Sequence, residues 1–152
     1  MKLSDALATD RIELNLKSTE KLEAIEEMVS LITRSVTVGD PKDLIKRILD
    51  QEAIKSTGVE KGVAIPHARF DEIDGVIAAL GIVRSDLDFQ SLDDKPVHLV
   101  FLILSSVASL SAYLSVLGRT ARIFHEEAMR EQVMAATTAD EVMELIRSHE
   151  PV

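Results

Sequence analysis

Two runs of Val, Ile and Leu at residues 76–83 and 97–104 constrain this chain more than any other feature. Each is about eight residues long, whereas crossing a bilayer takes roughly 20 apolar residues. Burial inside a globular core is the expected fate of both. Apolar runs of this length without strict alternation read as strands covered on two faces. Strands of that kind need helices above and below them. At 152 residues the chain is long enough to supply such a core.

The flanking segments have the required helical period. Leu22, Ile25, Met28, Val29 and Ile32 recur at helix spacing, with Ser18 or Thr19 expected as N-cap. Gly39 closes that region, and Asp40-Pro41 opens a second helix carrying Leu44, Ile45, Ile48 and Leu49. Residues 12–16 alternate as a short strand, and 63–65 form another that stops at Pro66. After Ser109 the helical period returns, with Leu110, Tyr113, Leu114, Leu117, Ala121 and Phe124 expected on one face. A shorter helix covers 126–136. Thr138 and Glu141 form a capping-box pattern that opens a last helix, with Val142, Leu145 and Ile146 inside. The expected fold is α/β: a single-domain sandwich over residues 1–152, with a mixed central β-sheet and helices on both faces. No Pro/Gly/Ser-rich linker interrupts it.

Charge narrows the function. Seventeen Lys and Arg stand against 26 Asp and Glu, a net charge of −9. Nucleic-acid binding by counterion release needs a basic face, and base stacking needs aromatics, of which the chain has four Phe, one Tyr and no Trp. No nucleic-acid partner is expected. Cysteine is absent, which removes disulfides, thiolate nucleophiles and cysteine-ligated metals. Residues 1–16 carry Asp5, Asp10, Arg11 and Glu13 and have no apolar core of signal-peptide length. The expected location is cytoplasmic, without membrane insertion.

Four histidines remain as candidates. His149 and His125 lie in polar surroundings and read as surface residues, and His98 inside an apolar strand reads as packed or edge-facing. No two sit at i, i+4, and Asp86, Asp88, Asp93 and Asp94 lack calcium-loop spacing, so no metal site is expected. Neither a Walker loop nor Gly-x-Gly-x-x-Gly occurs, so no cofactor is called for, and a Gly-x-Ser-x-Gly elbow is missing too. Lys42, Lys46 and Arg47 form the densest basic group and read as a solvated helix face.

His67 stands apart. Pro66 fixes its own φ and pushes Ile65 towards extended backbone, so His67 sits at a defined strand end. A neutral imidazole there can act as base, ligand or nucleophile. As a nucleophile towards phosphorus it needs one free nitrogen, a partner for the other, and donors for the phosphoryl oxygens. Ser56, Thr57, the N–H groups of the 58–62 turn and Arg69 are the local candidates. If 67–69 stay extended, Arg69 points to the same side as His67.

The run from Ser56 to Arg69, with Gly62, Pro66 and His67 in it, resembles the signature of the fructose/mannitol-type enzyme IIA domains of the bacterial phosphotransferase system, which include the nitrogen-regulatory enzyme IIA proteins. The likeness continues through residues 75–83, Phe89 to Leu104, the helix with Leu114 and Leu117, and the closing stretch from Ala136 to Glu141. The resemblance implies an α/β sandwich that accepts a phosphoryl group from an HPr-like phosphocarrier, or its nitrogen-branch equivalent. The group passes to an enzyme IIB, or its presence controls a regulatory target protein. The implied acceptor is His67, through Nε2. Two positions depart from the family pattern. Tyr113 stands where members often carry a second histidine, and Gln51-Glu52 stands where an Arg-Glu pair is common. Tyr113 has a hydroxyl to donate but no imidazolium charge. Phosphoryl carrier is therefore the leading expectation, with the regulatory branch slightly favoured. The alternatives are a partner-binding regulator that is no longer phosphorylated and an unrelated enzyme using His67 as acid or base.

Overall fold

The computed structural model describes residues 1–54, 61–90 and 93–150. The two apolar runs form the centre of the sheet. Strands β4 (Val76–Leu87) and β5 (Val97–Ser105) pair antiparallel, with Leu80 opposite Phe101 and Ala78 opposite Ile103. On one side β1 (Ile12–Glu13) runs parallel to β4. On the other, β2 (Val63–Ala64) and β3 (His67–Arg69) both run parallel to β5. These last two form one edge, interrupted at Ile65 and Pro66. Proline has no N–H to give the ladder, but its carbonyl accepts from the Ile103 N–H at 3.1 Å, so pairing resumes immediately at His67.

Alternation along the strands splits the apolar residues between two layers. Leu80, Ile82, Phe101 and Ile103 face α1 (Leu3–Ala6), α4 (Leu110–His125), α5 (Glu127–Ala135) and α6 (Ala139–His149). Ala79, Val83, Val100 and Leu102 face α2 (Lys21–Thr33) and α3 (Pro41–Ile54). The fold is the expected α/β sandwich with a mixed sheet covered on both faces. Gly81 lies in β4 beneath α2, where an added Cβ would stand 2.7 Å from Met28 Sδ and 3.0 Å from both Leu16 methyls. The absence of a side chain sets how closely that helix approaches. No described helix is long and apolar enough to cross a membrane.

Several local expectations are revised. Neither Ser18 nor Thr19 caps α2: Glu20 occupies the N-cap without a side-chain bond, while Ser18 and Thr19 bond to the Glu27 and Glu23 carboxylates. Strand 12–16 shortens to two residues, although the Leu16 N–H still reaches the Ile82 carbonyl at 2.8 Å. Leu22 is exposed, and Met143 rather than Leu145 is fully buried in α6. Thr138 does cap α6, accepting from the Glu141 N–H at 3.1 Å, but the Glu141 side chain turns to Thr137 instead of completing the box. The largest revision concerns α4. Its buried face is Tyr113, Val116, Thr120, Ile123 and Phe124, while Leu110 and Leu114 face solvent.

Candidate functional site

Extended backbone at 67–69 puts His67 and Arg69 on one side of β3 and buries Ala68 on the other. Both side chains open into a cleft of about 370 Å³ at the sheet edge, shared with Arg47 and Gln51 of α3 and with Tyr113, Leu114 and Leu117 of α4. Because β3 is an edge strand, helices from both layers reach it. The structure thus brings together His67, Arg69 and Tyr113, as expected, and places Gln51 beside them. Ser56 and Thr57 lie outside the described residues.

The imidazole of His67 is half-buried, and its Nδ1 sits 2.7 Å from the Ile65 carbonyl oxygen. A carbonyl only accepts, so Nδ1 carries the hydrogen. In the neutral ring Nε2 then holds the lone pair. The break in the edge strand is what makes this contact: Pro66 turns the chain so that the carbonyl two residues back meets the ring.

Tyr113 packs its ring against His67, with centroids 6.0 Å apart and planes at 61°. Only 5% of it is exposed. Burial pushes its phenol up to about 12, while the nearby Arg69 charge pulls the other way. The hydroxyl is therefore neutral near pH 7 and retains its hydrogen to donate. Arg69 is anchored: a terminal nitrogen donates to the Val107 carbonyl, and its Nε is buried without a partner. Arg47 is more exposed. Its guanidinium lies 5.4 Å from the Phe70 ring centroid, and one N–H donates to the Arg69 carbonyl at 3.4 Å. Neither guanidinium has a carboxylate partner among the described residues, in a chain of net charge −9. Among the described residues the cleft therefore holds positive charge with no carboxylate counterion, beside an imidazole nitrogen that keeps its lone pair, an arrangement suited to an anion that reacts with a nucleophile.

The sequence reading grouped Arg47 with Lys42 and Lys46 on a solvated face, and all three are exposed, but Arg47 also lines the cleft. Lys46 does face solvent, paired with Asp50 at 2.8 Å. Arg47 reaches the cleft because it precedes Gln51 by four residues and shares its flank of α3. That spacing was the available signal. Glu52 turns the opposite way and is buried against Lys21 at 2.8 Å. The other histidines are elsewhere: His98 Nδ1 donates to the Val83 carbonyl at 3.1 Å, His125 lies 3.5 Å from Lys61 Nζ, and His149 Nδ1 lies 2.9 Å from the Leu145 carbonyl. Ser105 and Ser106 are also occupied, the first with the Ser106 carbonyl and the second with Ser109. No cluster of three metal-binding side chains occurs among the described residues.

Beside the cleft, Val107, Leu110 and Leu114 are 47%, 45% and 56% exposed. They sit on the first turns of α4 and the short 3₁₀ turn before it. Apolar residues concentrated beside a reactive side chain suit contact with another protein.

Comparison with known proteins gives a consistent result. Residues 5–149 match the family described as phosphoenolpyruvate-dependent sugar phosphotransferase system, EIIA 2. The chain is 32% identical over 150 residues to the fructose-specific EIIABC component of Bacillus subtilis, a match covering 99% of this chain but 24% of that protein. Among solved structures, the nitrogen regulatory protein IIA-Ntr of Neisseria meningitidis superimposes with a TM-score of 0.86 at 28% identity, over 95% of this chain and 98% of that one. Enzyme IIA for mannitol from Escherichia coli, solved in complex with phosphorylated enzyme IIB, shares the fold with a TM-score of 0.78 at 20% identity, over 93% and 97% of the two chains.

Proposed function

This chain belongs to the EIIA 2 family of the phosphoenolpyruvate-dependent sugar phosphotransferase system, a family of phosphoryl carriers, and we propose that its carrying atom is Nε2 of His67. The observation that supports this is the hydrogen bond from Nδ1 to the Ile65 carbonyl, which leaves the lone pair on Nε2, in a cleft with two guanidinium groups that have no carboxylate partner among the described residues. In the transfer, Nε2 directs its electron pair at the phosphorus of a phosphohistidine on the donor. The donor N–P bond breaks as the new one forms, and the donor nitrogen leaves with the bonding pair. The product ring is cationic while Nδ1 keeps its hydrogen, and the Ile65 carbonyl stabilises that charge. Arg69 and the Tyr113 hydroxyl are the supporting groups for the phosphoryl oxygens. Such a step depends on alignment and oriented donors more than on bond-making by the protein.

The donor is an HPr-like phosphocarrier or its nitrogen-branch equivalent, and the recipient is an enzyme IIB or a regulatory target protein. Both dock over Val107, Leu110 and Leu114, with basic groups on the partner matching the acidic chain. Residues 1–152 act as one domain, in the cytoplasm where those partners operate.

The test is to incubate the protein with phosphoenolpyruvate, enzyme I and HPr, and in parallel with the nitrogen-branch pair. Intact mass is then read under alkaline conditions. One added phosphoryl mass, acid-labile and absent from His67→Ala, is expected, and the productive donor pair assigns the branch. No added mass with either pair, while a control enzyme IIA is labelled, would instead identify a partner-binding regulator that is not phosphorylated.

A further inference from the structure

We propose that Arg47 is a phosphoryl-binding residue of this cleft, moving from the Arg69 carbonyl onto the phosphoryl oxygens when His67 is modified. The proposal rests on the phosphohistidine reading of His67 and adds to it a residue from a different element, α3.

The positive charge in the cleft comes from two guanidiniums that differ in freedom. Arg69 is committed, with a terminal nitrogen on the Val107 carbonyl and its Nε sealed from solvent. Arg47 makes one long hydrogen bond, at 3.4 Å, to a main-chain carbonyl on the strand that carries His67. A guanidinium has five N–H donors in a planar fork, so most of its capacity is unused. The Arg47 guanidinium carbon lies over the Phe70 ring, 5.4 Å from the centroid, a contact that uses none of its N–H groups. No carboxylate neutralises it among the described residues. The neighbouring cation one residue earlier, Lys46, is neutralised by Asp50. Gln51, one turn further along α3, also lines the cleft but carries no charge. A phosphoryl group brings up to two negative charges to Nε2, and the exposed, weakly bonded cation within the same cleft is Arg47.

Phosphoramidate is a suitable probe because it is a small donor that docks to no protein surface. The Nε2 electron pair attacks phosphorus, the P–N bond of phosphoramidate breaks, and the nitrogen leaves as ammonia after taking up a proton from water. The wild-type chain, Arg47→Ala, Arg47→Lys and Lys46→Ala would each be labelled with phosphoramidate and, separately, with the productive phosphocarrier. Circular dichroism would verify that each is folded. Loss of a charge-assisted donor predicts labelling of Arg47→Ala about 10- to 100-fold slower with both donors. Arg47→Lys should be intermediate, since a point charge replaces the fork. Lys46→Ala removes the same formal charge nearby and should label at the wild-type rate.

Arg47→Ala labelled as fast as wild type would overturn the proposal. So would slowing confined to the protein donor, which would make Arg47 a docking residue instead. If the wild-type chain is labelled by neither donor while a control enzyme IIA is labelled by both, the phosphohistidine reading falls and takes this one with it. A labelled wild type thus separates failure of Arg47 from failure of His67.

Discussion

Tyr113 is the single tyrosine of a chain without tryptophan, so its phenolate band in the near ultraviolet reports on the cleft alone. Burial raises its pKa from 10.0 to about 12. An acid whose folded pKa exceeds its unfolded value keeps its proton longer in the folded state. Its contribution to stability is therefore complete below pH 10 and falls as pH rises towards 12, because over that range the unfolded chain has released a proton that the folded chain still holds. At about 1.4 kcal/mol per pKa unit, the loss is on the order of 2 kcal/mol by pH 12. An alkaline titration should show little phenolate near pH 10 in the folded protein, but a midpoint near 10 in denaturant. Far-ultraviolet circular dichroism recorded alongside tells direct ionisation from unfolding. Arg69→Gln should move the midpoint higher still, because the Arg69 charge now favours the phenolate. A phenolate midpoint near 10 with the helical signal intact would refute the burial of Tyr113 against His67.

Two substitutions on α4 separate docking from stability. Leu110→Asp removes an exposed apolar contact and puts a carboxylate in the first turn, where the helix dipole favours it. It should leave Tm within about 2 °C yet raise KM for the protein donor about tenfold, and unchanged KM would argue against docking there. Val116→Ala empties a fully buried site and should cost about 2 kcal/mol, or about 4–8 °C in Tm, with KM unaltered. Gly81→Ala forces a methyl against Met28 and Leu16 and should destabilise by about 1–3 kcal/mol in denaturant titration; a neutral result would mean that α2 can move off the sheet.

The sequence was most legible where burial is complete. The runs at 76–83 and 97–104 are strands because their side chains satisfy two layers at once, and that demand is written in composition alone. The α4 face was misjudged because Leu110 and Leu114 look like core residues by hydropathy, whereas the helix buries the polar Thr120 instead. Thr120 can be buried because its hydroxyl donates to the Val116 carbonyl at 2.8 Å, and no periodicity signals that. His67, Arg69 and Tyr113 were singled out by backbone constraint and motif, and the fold places them in one cleft. Arg47 shares a flank with Gln51 by spacing, but its place at the cleft depends on where that flank of α3 meets an edge strand, which is a tertiary fact. The N-cap of α2 failed for a related reason: Ser18 and Thr19 are drawn to Glu27 and Glu23, so competition among side chains decided the outcome.

The edge position of β3 has one more consequence. His67 belongs to the sheet, Arg47 to a helix packed on one face and Tyr113 to a helix packed on the other. Their mutual alignment is therefore set by the thickness of the whole sandwich. A residue such as Gly81, buried under α2 and outside the cleft, works as a shim: it fixes the spacing of its layer. Substitutions that thicken or thin either layer would detune the cleft while leaving every residue in it unchanged.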